Sequence, residues 1–347
     1  MRTFVHASIF LLLFLSGCAT GNGVSRSVDA LMQGYDGDVP GAAVLVSRHG
    51  EPLLMRAYGF ADLEERTAVT AKTNFRLASV TKQFTAAAIL LLAEDGRLGL
   101  DDRIGRWLPS LPAATEAVTI RHLLSHTSGL VDYEEVIPEG TTVQLRDADV
   151  LRLLEGEART YFVPGTSYRY SNSGYALLAL IAEKASGTSF SSLLRERIFL
   201  PLGMEGTLAF EHGTSTVANR AFGYSAKDDR WIRDDQSITS AVLGDGGVYS
   251  SIEDLAKWDA ALHDERLLRR GSLQMAFTAA TETDVADVSY GYGWRITGPT
   301  VWHSGETRGF RNVIIRNRET GLTVAVLTNR NATPPRPIAL AIAKLFD

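Results

Sequence analysis

Residues 77–87, LASVTKQFTAA, place a serine at the start of a predicted helix and a lysine three residues later. Residues three apart on a helix lie side by side, so Ser79 and Lys82 are neighbours. The first turn of a helix presents free backbone N–H groups that favour developing negative charge. A lysine amine is able to take the proton of a serine hydroxyl and activate it as a nucleophile. Taken alone, the pattern more often marks a helix cap followed by a surface lysine.

The helix that carries this pair is predicted over residues 79–95, and Gly96 ends it. A glycine just after the last helical residue is a common helix terminator. The apolar positions of the helix, which we expect to face the core, are Val80, Phe84, Ala87, Ala88 and Leu91. Ser79 and Lys82 are therefore expected to lie off the buried stripe.

A second polar group lies in YRYSNSGYALLAL, residues 168–180. Tyr170 and Asn172 stand two positions apart in an extended stretch before a helix predicted from about Ser173, so their side chains share one face. A phenol close to a lysine ammonium is able to act as a general base or proton relay. An asparagine amide has a donor and an acceptor, and is suited to hold Lys82 and a substrate amide together. By itself, the pattern also fits a packed tyrosine and an asparagine that closes a turn.

A third group lies in TVWHSGETRGF, residues 300–310, with a strand predicted over residues 301–306. His303 and Gly305 then face the same side of the strand. A glycine has no Cβ, so a substrate backbone is able to come close to it. His303 is able to donate a hydrogen bond or to titrate near neutral pH. A single histidine on a strand is more often a core or surface residue.

Together, the three motifs resemble the serine β-lactamase and penicillin-binding-protein superfamily. The likeness is strongest to its class C-type branch, which includes class C β-lactamases, D,D-peptidases, D-aminopeptidases and esterases. The motifs are Ser-Val-Thr-Lys at residues 79–82, Tyr-Ser-Asn at residues 170–172 and His-Ser-Gly at residues 303–305. The flanking text IRHLLSHTSGL, GDGGVYSSIEDLAKW and YGYGW also resembles the family. The resemblance extends from about Asp29 to the C-terminus.

The resemblance implies roles for the residues of the first two motifs. Ser79 would attack an acyl carbon to form an acyl-enzyme, while Lys82 and Tyr170 would share the proton transfers as one coupled system. Which of the two is the resting base stays open. The backbone N–H groups of Ser79 and Glu306 would form the oxyanion hole. Tyr133 falls near a position where relatives place a substrate-contacting side chain.

The resemblance assigns substrate binding to Asn172, His303 and Gly305. β-Lactamases usually carry Lys-Thr-Gly in the third motif, where the lysine helps to hold a substrate carboxylate. His303 takes that place here, and Arg308 and Arg311 are candidates to restore a carboxylate contact. The departure puts β-lactam hydrolysis in doubt.

We therefore expect a serine hydrolase that acts through an acyl-enzyme on an ester or amide, of the esterase or D-amino-acid peptidase type. The alternative is a penicillin sensor that is acylated at Ser79 without efficient turnover. The expected partner is a small-molecule or peptide acyl donor, cell-wall peptides included. The net charge of −5, without a basic excess, argues against nucleic acid. We expect no cofactor, no metal and a monomer.

The sequence argues against two other classes of hydrolase. His122 and His126 stand four apart in RHLLSH, a spacing that can bind zinc from one helix face, but the glutamate of His-Glu-x-x-His is absent. The Gly-x-Ser-x-Gly motif of α/β-hydrolases does not occur in the sequence.

The N-terminal stretch MRTFVHASIFLLLFLSGCAT predicts a signal peptide over residues 1–17, because its apolar run is shorter than a membrane span. Its end resembles a lipobox, which makes Cys18, the only cysteine, the expected lipidated residue. A flexible tether is predicted over residues 18–27. We expect a lipid-anchored protein of the bacterial cell envelope that faces the periplasm, with the outer membrane slightly favoured by Ala19.

Strand patterns stand at both ends of the 347-residue chain, with helical patterns between them. Residues 41–63 predict two strands joined at residues 48–51, residues 311–329 predict a hairpin, and a closing helix follows. This order predicts an α+β fold of the β-lactamase and transpeptidase type, with an antiparallel sheet flanked by helices and a mainly helical insertion. The sheet part is predicted over about 28–75 plus 236–347, the helical part over about 76–235, and the active site in the cleft between them.

Overall fold

The computed structural model describes the backbone of residues 17–347 and the side chains from residue 23 onward. The predicted signal peptide and the Cys18 side chain therefore lie outside the described part. The helices are α1 Gly17–Leu31, α2 Lys82–Glu94, α3 Ile120–Leu124, α4 Asp147–Glu155, α5 Asn172–Ser186, α6 Phe190–Leu194, α7 Leu243–Gly246, α8 Ile252–Ala261, α9 Arg270–Ala276 and α10 Arg336–Ala343.

The strands before the middle of the chain are β1 Ala42–Arg48, β2 Glu51–Tyr58, β3 Phe60–Asp62, β4 Thr67–Ala68, β5 Phe75–Arg76, β6 Leu208–Ala209, β7 Tyr224–Lys227 and β8 Arg230–Arg233. Those that follow are β9 Val248–Ser250, β10 Thr281–Glu282, β11 Ser289–Tyr290, β12 Arg295–Thr297, β13 Thr300–Thr307, β14 Phe310–Asn317, β15 Leu322–Thr328 and β16 Arg330–Asn331.

Eight strands form one antiparallel sheet in the order β10-β11-β12-β13-β14-β15-β1-β2. The β1–β2 hairpin turns at His49 and Gly50, both with positive φ, as a two-residue hairpin turn requires. β14 and β15 form the second predicted hairpin. β1 pairs with β15, from Ala42 opposite Thr328 to Arg48 opposite Leu322, so the two ends of the chain meet inside the sheet.

Alternation along the central strands gives the sheet two buried faces. Ala43 and Leu45 of β1 join the larger core, which includes side chains of α2, α5 and α8. Val44 and Val46 join a second core with Val28 of α1 and side chains of α10. The sheet is thus covered by helices on both sides, and the predicted α+β architecture is confirmed.

The chain between β2 and β10 supplies helices α2 to α9, together with short strands that the sequence did not predict, such as β7 and β8. The apolar stripe predicted for α2 is too narrow. Every residue from Lys82 to Leu92 is buried, because α2 packs against its neighbours on all sides. Lys82 therefore lies inside the protein, not beside the buried stripe as expected.

The tether predicted over residues 18–27 is instead part of helix α1. Val28 of the helix and Met32 just after it pack in the second core, and Asp29 accepts a hydrogen bond from the Tyr58 hydroxyl at 2.7 Å. Within residues 17–347, no helix is both long and apolar enough to cross a membrane.

A buried ion pair fastens α8 to the central strands of the sheet. Asp259 of α8 accepts hydrogen bonds from Arg316 at 2.7 Å, Ser47 at 2.6 Å and Thr323 at 2.7 Å. Burial alone would raise the pKa of Asp259, but its neighbours His263 and Arg316 more than offset this, and the pKa lies below the usual value. The carboxylate is therefore charged and fully engaged in the folded protein.

We expect Arg316→Met to lower the free energy of unfolding by about 3–5 kcal/mol, because it leaves the Asp259 charge buried without its partner. Urea unfolding followed by circular dichroism measures this. The control is Arg270→Met, which removes an exposed ion pair with Glu265 and should cost less than about 1 kcal/mol. Since the pKa of Asp259 is lowered on folding, this stabilisation should be present at neutral pH and lost as the pH falls. Equal losses in both variants would contradict this account.

Candidate active site

Ser79 lies in a short 3₁₀ turn, Ala78–Thr81, that leads directly into α2. The backbone before it is fixed from two sides, since Leu77 N–H donates to the Val248 carbonyl at 2.8 Å and Asn312 donates to the Arg76 carbonyl at 2.8 Å. Ala78 has a φ of 51°, in the left-handed region that non-glycine residues rarely adopt. The surrounding contacts thus hold the serine in a strained turn.

Lys82 is fully buried, and its Nζ is surrounded by three hydrogen-bonding partners. They are Ser79 Oγ at 3.1 Å, Asn172 Oδ1 at 2.9 Å and the Asp245 carbonyl oxygen at 2.9 Å. An ammonium would donate to all three. A neutral amine would donate to Asn172 and Asp245 and accept the Ser79 proton. The same geometry therefore satisfies both protonation states of the lysine.

Asn172 is the first residue of α5, and its Oδ1, Nδ2 and backbone N–H each have a hydrogen-bond partner. Its Oδ1 faces Lys82, its Nδ2 donates to Glu134 Oε1 at 3.0 Å, and its backbone N–H donates to Asp132 at 2.6 Å. These partners fix which way the amide points. The second Nδ2 hydrogen is left for another acceptor.

Tyr170 is half-buried on the loop before α5, and its ring centroid lies 5.0 Å from Lys82 Nζ. Arg295 lies on the same ring, with its guanidinium carbon 5.4 Å from the centroid. Within residues 17–347, the Tyr170 hydroxyl has no hydrogen-bond partner. The structure therefore brings Ser79, Lys82, Tyr170 and Asn172 together, as the sequence predicts.

Gly305 lies directly against the serine turn. A Cβ at this position would come within 2.0 Å of the Leu77 carbonyl oxygen and 3.1 Å of Ser79 N. The missing side chain lets β13 approach the serine turn itself. This approach brings the start of Glu306 next to the Ser79 turn, and Glu306 lines the same cleft.

His303 is buried on β13, and both of its ring nitrogens have partners within the protein. Its Nε2 lies 3.0 Å from the Tyr290 hydroxyl, and its Nδ1 lies 2.6 Å from the Ser304 carbonyl oxygen. Nδ1 must carry the proton to donate to that carbonyl, so Nε2 accepts from Tyr290. Burial, then the charges of Arg295 and Lys82, hold its pKa well below the usual range. His303 is thus a neutral supporting residue.

The arginines expected to replace the missing lysine are already engaged. Arg308 pairs with Asp234 at 2.6 Å. Arg311 lies 3.5 Å from Glu306 and also donates to Asn331. Neither side chain is among those that line the cleft. A fixed cation at the position of the family's lysine is therefore not provided by these residues.

The two histidines considered for zinc do not share a helix face. Helix α3 ends at Leu124, and His126 follows with a φ of 60°. His122 Nδ1 accepts from Thr119 N–H, and His126 Nδ1 accepts from Ser171 N–H. Within residues 17–347, no three His, Cys, Asp or Glu side chains converge on a possible metal position.

The cleft over Ser79 is small, about 50 Å³, and carries carboxyl groups on its wall. Glu134 and Asp245 both line it, on either side of the Lys82 and Asn172 pair. Burial raises the pKa of Asp245 to about 7, and burial, then the charge of Asp132, raises that of Glu134. Two larger cavities, of about 550 and 510 Å³, are lined by residues outside the three motifs.

Sequence reasoning did not identify Glu134 or Asp245 as residues that line the cleft. Tyr133, which was expected near substrate, is fully buried and donates to Asp245 at 3.0 Å. Both Tyr133 and the neighbouring Glu134 line the cleft over Ser79. Asp245 lies in GDGGVYSSIEDLAKW, a stretch that resembles the family, whereas no sequence pattern marked Glu134.

The fold and the site together define the class of penicillin-binding-protein-like serine hydrolases. The chain belongs to the β-lactamase family, whose sequence profile matches residues 24–346. Penicillin-binding protein 4* of Bacillus subtilis (strain 168) is 34% identical over 306 residues, covering 83% of this chain and 67% of that protein.

Two further relatives act on D-amino-acid compounds, according to their names. The D-aminopeptidase of Brucella ovis is 33% identical over 306 residues, covering 82% of this chain, and the chain spans only 55% of that protein's length. The crystal structure of D-amino acid amidase from Ochrobactrum anthropi SV3 superposes with a TM-score of 0.78 at 25% identity, covering 93% of this chain and 99% of that one. The likeness to hydrolases agrees with the predicted class of enzyme.

We expect Gly305→Ala to lower kcat/KM by about 100-fold, because the new Cβ pushes β13 away from the Ser79 turn. The free energy of unfolding should fall by about 1–3 kcal/mol. The measurements are p-nitrophenyl ester hydrolysis and thermal unfolding. Gly271→Ala is the control, because a Cβ there meets nothing within 4 Å, and its activity should be unchanged. Full activity of Gly305→Ala would contradict the assigned close approach.

Proposed function

We propose that the protein is a serine hydrolase that forms an acyl-enzyme at Ser79 and hydrolyses amides or esters of small acyl groups that carry a free amine. D-amino-acid amides and short D-peptides are the substrates of this class that its relatives' names suggest. The observation that carries the proposal is the buried Lys82, whose Nζ lies 3.1 Å from Ser79 Oγ.

The reaction begins with transfer of the Ser79 proton to Lys82 or, through it, toward Tyr170. Ser79 Oγ then bonds to the acyl carbon, and the developing oxyanion is stabilised by the Ser79 and Glu306 backbone N–H groups. The proton passes to the departing amine or alcohol. Water then attacks the ester carbon of the acyl-enzyme with the same groups as base, and Ser79 recovers its proton.

The charge of the cleft supports an acyl group with an amine. Glu134 presents a carboxylate beside the Asn172 amide, which is suited to hold the acyl side of a substrate. A substrate ammonium next to Glu134 would form a charge-assisted hydrogen bond in a partly buried setting. A β-lactam carboxylate would instead meet the carboxyl groups of Glu134 and Asp245. Arg76 also lines the cleft, but its guanidinium already donates to the Ser240 carbonyl oxygen at 2.7 Å and to Gln236 Oε1 at 3.4 Å. The proposal therefore ranks β-lactams below amino-acid amides and esters.

We expect Ser79→Ala to reduce hydrolysis of D-alanine p-nitroanilide and of p-nitrophenyl butyrate by at least about 1000-fold. Ser167→Ala, an exposed serine on the loop before Tyr170, is the matched control and should keep full activity. Mass spectrometry of the quenched wild-type reaction should show an acyl adduct on the Ser79 peptide. Undiminished activity of Ser79→Ala would refute the mechanism.

The same experiment tests the sensor alternative. An enzyme gives sustained product release, whereas a sensor gives one equivalent of product and a stable adduct with a penicillin. A stoichiometric burst without turnover on every substrate would therefore replace the proposed function with the sensor function.

We expect Glu134→Gln to raise KM for D-alanine p-nitroanilide about 10-fold or more, because the substrate ammonium loses a charged partner. KM for p-nitrophenyl butyrate, which has no amine, should stay within about 2-fold. Glutamine still accepts from Asn172 Nδ2, so the site itself is preserved. Glu135→Gln is the matched control, since Glu135 pairs with Arg169 at the surface.

The pH dependence gives a second readout of Glu134. Burial raises its pKa, so its carboxylate is protonated at a higher pH than an ordinary glutamate. KM for the amine-bearing substrate should therefore rise as the pH falls from 7, and the rise should be absent in Glu134→Gln. A wild-type KM that stays constant down to pH 4 would contradict the proposed ammonium contact.

A further inference from the structure

Tyr170 lies on a stretch of chain without regular structure. Residues 156–171, between α4 and α5, contain no helix and no named strand, and Arg169 beside Tyr170 is exposed. Catalytic proton transfer needs the hydroxyl to be held within a fraction of an ångström of its working position. The loop alone does not supply that precision, so the constraint on Tyr170 must come from its contacts.

His126 contacts the chain on both sides of Tyr170. Its carbonyl oxygen accepts from the Arg169 N–H at 3.0 Å, and its Nδ1 accepts from the Ser171 N–H at 3.1 Å. Its ring packs on the Tyr170 ring, with centroids 4.3 Å apart and planes 35° apart. One residue thus fixes the backbone before Tyr170, the backbone after it and the ring between them.

The His126 ring is itself held without freedom to move. It is 1% exposed and lies among Tyr170 and three further tyrosine rings, those of Tyr168, Tyr175 and Tyr290, with centroids between 4.6 and 6.1 Å from it. Its backbone φ of 60° is the left-handed conformation, which a histidine adopts only when its contacts require it. The ring is therefore a rigid support, not a loosely packed side chain.

The hydrogen bond from Ser171 also determines the tautomer. Since Nδ1 accepts, the proton of the neutral ring is on Nε2, and Nε2 is a buried donor without a partner within residues 17–347. An unpaired buried donor is costly, and it is retained here together with a strained backbone. An apolar side chain would fill the same space without an unpaired buried N–H, but it would not accept the Ser171 N–H.

We propose that His126 is a positioning residue for Tyr170, and that its Nδ1 acceptor and its ring together set the place of the Tyr170 hydroxyl above Ser79. This inference rests on the proposed proton-transfer role of Tyr170. His126 does not touch the substrate or the reacting atoms. It acts through Tyr170, and so its removal should affect the chemical step far more than substrate binding.

The test compares His126→Asn and His126→Leu, two side chains of similar size. Asparagine tolerates a positive φ and its Oδ1 is attached to Cγ as Nδ1 is, so it is able to accept from Ser171. Leucine has no acceptor. For p-nitrophenyl butyrate we expect His126→Leu to lower kcat about 100-fold with KM within about 3-fold, and His126→Asn to stay within about 5-fold of wild type.

A double-mutant cycle separates positioning from general destabilisation. In a Tyr170→Phe background, the added His126→Leu change should lower kcat by less than about 2-fold, because the hydroxyl it positions is gone. An equal loss in both backgrounds would overturn the proposal, and so would an Asn variant as inactive as the Leu variant. Circular dichroism checks that each variant is folded.

If His126→Leu does not fold, His126→Gln takes its place, because the glutamine amide is one methylene farther from the backbone and its oxygen is displaced from the Nδ1 position. Retained kcat in His126→Asn with a large loss in His126→Gln supports the proposal, and equal kcat in the two overturns it. Ser79→Ala is assayed alongside. Full activity of that variant would refute the proposed function, whereas an inactive Ser79→Ala with a fully active His126→Leu would refute only this inference.

Discussion

The buried amine of Lys82 is the interaction on which the other parts of the site depend. Its three acceptors come from the serine turn, from the start of α5 and from α7, which are far apart in the sequence. A buried amine must be hydrogen-bonded whether or not it is charged, and leaving one contact unmade costs about 1–3 kcal/mol. Because Lys82 requires these hydrogen bonds, it holds the serine turn, the start of α5 and α7 in fixed positions relative to one another. The hydrogen bonds that stabilise Lys82 in the core also position the Ser79 nucleophile.

A second constraint, the close approach of β13 to the serine turn, works from the opposite side of the cleft. Gly305 permits it, and Asn312 on the neighbouring strand fixes the Arg76 carbonyl just before the turn. The site is thus built where a rigid sheet meets a helical layer. Rigid strands are better supports for a catalytic geometry than loops are. Tyr170 lies on a loop and therefore needs additional contacts to hold it in position.

Much of the fold and of the candidate site could be predicted from the sequence. Strand alternation and turn residues indicated the β1–β2 and β14–β15 hairpins, and motif order indicated that Ser79, Lys82, Tyr170 and Asn172 converge. Burial was predicted less well, because an amphipathic pattern does not reveal that α2 is covered on every side. The contact of His303 with Tyr290 and the approach of Gly305 to Leu77 were not predicted, because only the three-dimensional structure shows them. The position of Glu134 at the cleft was not predicted, because it depends on the conformation of a loop and loops have no periodic sequence pattern.

The pairing of β1 with β15 has a consequence for how the protein is made. β1 is complete after 48 residues, yet its partner begins only at Leu322, so the centre of the sheet cannot close until nearly the whole chain has been synthesised. Contacts between distant parts of a chain form slowly. In the meantime β1 has an open, apolar edge that is able to pair with other chains. The order of strands in this sheet therefore leaves one edge of β1 unpaired until the last strands have been synthesised.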